Sequence, residues 1–189
     1  DHKFISSLID KIRNKFSDTF LVKKINFLKR PQLKIVHITN FNERYDGRLH
    51  YNTGRRINNG FIRLGHNVLS ISDRDIISKG KTIGDIKGHK LLKKKIIESC
   101  NNFNPDILIL GHADAVSLNT LDFLKSKSKN LKFAQWFLDP VNKFGPDYIK
   151  NKNRVLDKHQ IMDSNFLTTD PNSLSFNLEN SFFMPNPCD

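Results

Sequence analysis

Cysteine is nearly absent from this chain: 189 residues carry two, Cys100 and Cys188, far apart and outside any CxxC spacing. That excludes a disulfide-stapled scaffold and a cysteine-based zinc site, and it points to a reducing, cytoplasmic compartment. No apolar run approaches the ~18 residues that a transmembrane helix requires. The chain opens on Asp1 without a signal-peptide pattern, so it reads as a trimmed chain or a piece of a longer protein. Phosphate-binding fingerprints are missing as well. Without GxGxxG after the first strand candidate, and without GxxxxGK[ST], dinucleotide dehydrogenases and P-loop NTPases lose most of their support. There is no GxSxG elbow. The seven histidines are scattered, and the HxD pair His112 and Asp114 has no third ligand at helical spacing, so no metal site is expected. Acidic residues are the minority, 19 against 31 Lys plus Arg, for a net charge of +12.

What is present suffices for a core. Hydrophobic residues make up 38% and Phe occurs 15 times, too much apolar material for a disordered chain. Residues 1–32 differ in texture from the rest. Up to Arg30 they hold eight Lys/Arg against three Asp, with Ile5, Ile9, Ile12, Phe16 and Phe20 at helical spacing before Pro31. This predicts a basic amphipathic helical extension whose apolar face either packs on the main domain or meets an anionic membrane surface.

Residues 33–189 read as one domain of alternating strands and helices. Strand candidates are 33–39 (LKIVHIT), 68–72, 106–110 (DILIL), 132–138 (KFAQWFL), 165–169 and 181–184. Between them, Leu49, Ile57, Phe61 and Leu64 share one helical face ended by Gly65. Leu92, Ile96, Cys100 and Phe103 share another, stopped by Asn104-Pro105. Ser117 is placed to cap a helix carrying Leu118, Leu121 and Leu124, a further helix runs from Pro146 towards His159, and a short one lies near Leu174. Strict alternation implies parallel strands joined by right-handed crossovers, and the near-continuous apolar runs imply burial on both faces. The expected class is α/β, a doubly wound, mainly parallel, Rossmann-like sheet.

In such a sheet ligands bind beyond the carboxyl ends of the strands. The runs leave the core at Asn40, Asp73, His112, Asp139 and Asp170, which places these polar residues along one rim. The loop after the first strand adds Arg44, Gly47, Arg48, Tyr51, Asn52 and Arg55. A glycine that permits close backbone approach, a helix expected to begin near residues 48–51, and arginines able to hold anions through paired hydrogen bonds suit a phosphate or a carboxylate. Asp73 is expected to cap a helix or sit in a loop, and His37, inside the first strand, to be a satisfied core residue.

The run GRLHYNTGRRINNGFIRLGHNVLSIS resembles the opening of a GT-B glycosyltransferase. NPDILILGH is similar to that family's next strand. KFAQWFLDP resembles the following one, above all in the spore-maturation-protein-like branch, and SNFLTTDPNSLSF and SFFMPNPCD resemble the end of the amino-terminal half. The likeness covers about residues 33–189 and implies the acceptor-side half of an enzyme that moves sugar from a nucleotide-sugar to a surface glycan or glycolipid. The donor-binding half lies outside this chain, so the fragment alone is expected to be inactive. By resemblance, Gly47 and Arg48 approach the donor phosphates. Arg44, Tyr51, Asn52 and Arg55 contact substrate, and Asp139 and His112 serve acceptor binding or proton transfer. No cofactor is implied beyond the nucleotide-sugar substrate. The setting is the cytoplasm, at the inner face of the plasma membrane. The competing expectation is a non-enzymatic basic α/β domain that binds nucleic acid. Its support is the charge alone, since no RNP-like, zinc-finger or helix-turn-helix pattern occurs.

Overall fold

The structure, a computed structural model, describes residues 31–186. The expectation for residues 1–30 lies outside the described residues, and residues 32–186 belong to the unit Gln32–Asp189. Six strands, β1 (Lys34–Thr39), β2 (Asn67–Ser72), β3 (Ile107–Gly111), β4 (Lys132–Phe137), β5 (Ser164–Leu167) and β6 (Ser181–Phe183), form one sheet. Their order is β2-β1-β3-β4-β5-β6 and every neighbouring pair is parallel. The helices between them are α1 (Thr53–Arg63), α2 (Asp73–Gly80), α3 (His89–Phe103), α4 (Leu118–Lys127) and α5 (Tyr148–Leu156). The Rossmann-like α/β expectation is met.

Alternation along the strands decides which helix covers which face. Val36 and Ile38 of β1, Leu108 and Leu110 of β3 and Phe133 of β4 pack with Leu92 and Ile96 of α3 and Leu121 and Leu124 of α4. Further along that layer, Phe137 and Leu167 pack with Val155 of α5. The intervening residues Ile35, Ile109, Ala134 and Trp136 face Ile57 and Phe61 of α1. Because β1→β2 and β2→β3 run in opposite directions across the sheet, right-handed crossovers put α1 on one face and the later helices on the other. The strand order reverses between β1 and β3, and the crevice beyond their carboxyl ends is the switch point of the fold.

One polar column crosses the α1 face. His37 is fully buried, and its Nε2 accepts the Trp136 indole N–H at 3.1 Å. Its Nδ1–H therefore donates to Asn58 Oδ1 (3.1 Å), which also accepts Ser70 Oγ–H (2.9 Å). Four elements are joined and each group is satisfied, as expected for a core histidine. Burial pushes the His37 imidazole down to about 4, against the pull of Asn58. Trp136 of β4 reaches His37 of β1 across the intervening β3 because Gly111 leaves a notch there. A Cβ at Gly111 would lie 1.9 Å from the indole.

Two local expectations need correction, and one helix is not anticipated by the sequence. The first long helix begins at Thr53 rather than at residues 48–51. Positive φ at Asn42, Asp46 and Gly47 keeps the preceding loop in turns and a 3-10 turn over Glu43–Tyr45. Residues 73–80, to which the sequence assigns no element, form α2, with Asp73 in its first turn: the short polar sequence carries little helical signal, and packing of Ile76 and Ile77 on the core supplies the stability. Near Leu174 the chain makes a 3-10 turn, Pro171–Ser173, capped by Asp170.

Candidate functional site

The carboxyl rim holds two clusters. The first is built on the loop between β1 and α1. Asp75, in the first turn of α2, accepts the backbone N–H of Glu43 at 2.8 Å and of Arg44 at 3.4 Å, takes the Arg44 guanidinium at 2.9 Å, and bonds the Ser72 hydroxyl. Burial alone would raise this carboxyl, but the Ser72 hydroxyl, the two amides and the Arg44 charge hold it below its ordinary value. Arg44, expected to bind substrate, is thus committed to fixing the loop. Arg44 and Arg48 lie over the Tyr45 ring at 4.7 and 5.4 Å, and Arg55 lies over Phe41 at 4.8 Å.

Asn52 is also occupied. Its Oδ1 caps α1 by accepting the Arg55 N–H at 3.0 Å, and its Nδ2 donates to the Phe41 and Leu49 carbonyls. The capping role follows from the later helix start, which also moves the glycine beside the helix N-terminus from Gly47 to Gly54. Gly47 sits in an open turn with φ of 86°. Gly54 is buried, and a Cβ there would meet Thr39 Cγ2 at 2.7 Å, so the first turn of α1 lies directly on the end of β1. Thr39 Oγ1 in turn donates to the Gly111 carbonyl at 2.8 Å, tying the two strand ends that flank the switch point. Tyr51 is 76% exposed and stacks edge-on with His50.

The second cluster brings His112 and Asp139 together, 3.6 Å apart between Nδ1 and Oδ2. What organises them is Arg154, from α5. Its Nη1 donates to Asp139 Oδ2 at 2.8 Å. Its Nε and Nη2 grip the Asp114 carboxylate at 2.8–3.1 Å, and Nη2 lies 3.1 Å from His112 Nδ1. The guanidinium sits over the Phe137 ring at 4.9 Å, on which His112 also stacks at 4.3 Å. Burial works against the Arg154 charge, but Asp114 and Asp139 outweigh it and hold the group above its ordinary value. His112 Nε2 accepts the Leu138 N–H at 2.9 Å, so the ring's lone pair is used in joining the exits of β3 and β4. Burial lowers the His112 pKa although Asp139 opposes it, which keeps the ring neutral. His112 adopts φ of 49°, an uncommon conformation for a residue with a side chain. The Asp139 side chain remains 45% exposed while Oδ2 is pinned, so its carboxylate is oriented yet open to solvent.

Asp73 adds a third element. It is 1% exposed, its Oδ1 has no hydrogen-bond partner, and burial pushes its carboxyl up to about 6, with Asp114 and Asp75 adding to the rise against Arg74. Among the described residues no group of three or more His, Cys, Asp or Glu side chains is arranged to hold a metal ion. None of their helices is long and apolar enough to cross a membrane. Arg154, Asp75 and Gly54 were not singled out by sequence. Gly54 stood in the quoted run and could have been found from its place just after a capping Asn. Arg154 sits on an exposed-looking helix with nothing to distinguish it.

No protein-family model matches this chain, and no curated protein matches it significantly. The functional reading therefore rests on the resemblance of its motifs and on the rim just described.

Proposed function

We propose that this chain is the acceptor-side domain of a cytoplasmic glycosyltransferase, moving sugar from a nucleotide-sugar to a glycan or glycolipid at the inner membrane face. The observation that carries the reading is Asp139: a half-exposed carboxylate at the exit of β4, oriented by the half-buried Arg154, on the rim where parallel sheets bind ligands. In this reaction Asp139 takes the proton of an acceptor hydroxyl as its oxygen bonds to the anomeric carbon. The bond from that carbon to the nucleoside diphosphate breaks, and the leaving group carries away the electron pair. The first N–H groups of α1, beside Gly54, and the exposed Arg48 suit the developing negative charge. Arg154 and His112 are positioning residues, since they act through Asp139. A second, nucleotide-binding unit completes the cleft.

The test is release of nucleoside diphosphate by the full-length, two-domain protein from a panel of nucleotide-sugars with saccharide and lipid-linked acceptors, paired with acceptor binding to this chain by saturation-transfer NMR. Asp139→Asn should abolish turnover, and acceptor binding should persist with weakened contacts around the rim. Absence of both turnover and acceptor binding overturns the reading. So does steeply salt-dependent RNA binding by a protein that ignores glycans. The nucleic-acid reading has the +12 charge in its favour, but no RNP-like, zinc-finger or helix-turn-helix pattern accompanies it.

A further inference from the structure

The turn between α2 and α3 exposes two isoleucines almost completely: Ile83 at 101% and Ile86 at 79%. It is a built turn. Thr82 and Asp85 exchange both backbone hydrogen bonds at 3.0–3.1 Å, Asp85 also accepts the Lys90 N–H at 2.7 Å, and Lys90 Nζ donates to the Gly84 carbonyl at 2.8 Å. Gly88 closes it with φ of 70°, and a Cβ there would lie 2.2 Å from the Ile77 carbonyl oxygen. The two side chains are therefore presented by rigid backbone. Lys81 and Lys87 lie in the turn itself and Lys79, Lys90 and Lys94 border it, all exposed, against Asp85 and against Glu98, which pairs with Lys94 at 3.8 Å. Lys79, Lys90 and Lys94 share a groove of about 410 Å³ with Leu91 as its apolar wall and Asp85, whose carboxylate is taken up by the Lys90 N–H, as its one acid.

We propose that this turn is a membrane-docking tip for anionic bilayers: Ile83 and Ile86 enter the headgroup region while the Lys79–Lys90–Lys94 groove takes a lipid phosphate. A protruding apolar pair ringed by lysines is the composition that interfacial binding requires, with apolar area and charge attraction acting together. A nucleic acid would use the lysines and leave the isoleucines without a role. The inference does not depend on the sugar-transfer reading.

Co-sedimentation of the full chain with phosphatidylcholine vesicles, with and without one-third phosphatidylglycerol, tests it. Binding should need the anionic lipid and fall with salt. Ile83→Ser with Ile86→Ser should weaken it by roughly tenfold or more. Lys79→Gln, Lys90→Gln and Lys94→Gln together should weaken it on the order of a hundredfold, from about fivefold per lysine. A nitrobenzoxadiazole label on Ile83→Cys, in a Cys188→Ser background, should shift to the blue on adding anionic vesicles, which locates the contact whatever else binds lipid. An unshifted label overturns the proposal. So does wild-type affinity in either variant, equal binding to neutral vesicles, or loss of RNA binding with vesicle binding unchanged.

Discussion

Asp73→Asn should make the protein more stable at neutral pH and leave it unchanged in acid. The Asp73 carboxyl titrates at about 6 in the fold against 3.8 ordinarily, because burial penalises its charge. A group raised in this way contributes stability that is complete below 3.8 and lost as pH rises through 6. At about 1.4 kcal/mol per pH unit, the ionised carboxylate costs the native state about 3 kcal/mol at pH 7. Asn keeps the shape and removes the charge. His37 works in the opposite sense: lowered to about 4 from 6.5, it gives stability that is complete above 6.5 and lost as pH falls through 4, again about 3 kcal/mol. Between pH 4 and 6 the two slopes nearly cancel in the wild type, so the substitution should uncover the rising His37 limb. Trp136, the only tryptophan and 5% exposed, reports unfolding in urea by its fluorescence. The free-energy difference between variant and wild type should be near zero at pH 4 and reach about 3 kcal/mol at pH 7. A pH-independent difference, or a variant less stable at pH 7, would refute the argument.

Other consequences can be measured on the same material. His37→Ala strands the Trp136 indole N–H in the core and leaves Asn58 Oδ1 with Ser70 alone, so it should cost about 2–4 kcal/mol and flatten the stability gain between pH 4 and 6.5 in urea titrations. Arg154→Met leaves Asp114 and Asp139 facing each other without a cation. About 2 kcal/mol of stability should be lost, discounted because both carboxylates are half exposed, and the His112 ring should titrate higher by NMR once the neighbouring positive charge is gone. Gly111→Ala drives a methyl into the Trp136 indole and should cost about 3 kcal/mol or more with a changed emission spectrum, whereas Gly60→Ala, with open space around it, should be neutral or slightly stabilising.

The sheet was readable because its strands are short apolar runs between helical stripes, and because Gly65 and Asn104 end helices in left-handed conformations that local sequence announces. His112 and Asp139 were readable for the same reason, since a residue that leaves a buried parallel strand must sit on the carboxyl rim. What the sequence left open shares a cause too. Asn52 and Arg44 are polar residues in a loop, and sequence alone does not say whether such groups face a ligand or are consumed by the fold. Here the cap of α1 uses one and the Asp75 clamp uses the other. The helix 73–80 depends on packing rather than on periodicity. Arg154 joins Asp114 and Asp139 from 40 and 15 residues away, a meeting created only when α5 settles over β4.

The bond from Trp136 to His37 passes over a strand to which neither residue belongs. An indole elsewhere on β4 would miss the imidazole, a methyl at Gly111 would block its passage, and any replacement for the imidazole would have to offer an acceptor at the same depth. Kin of this sequence should therefore inherit the trio intact or exchange all three members at once, and a lineage that altered one alone would show the compensating repair at the other two.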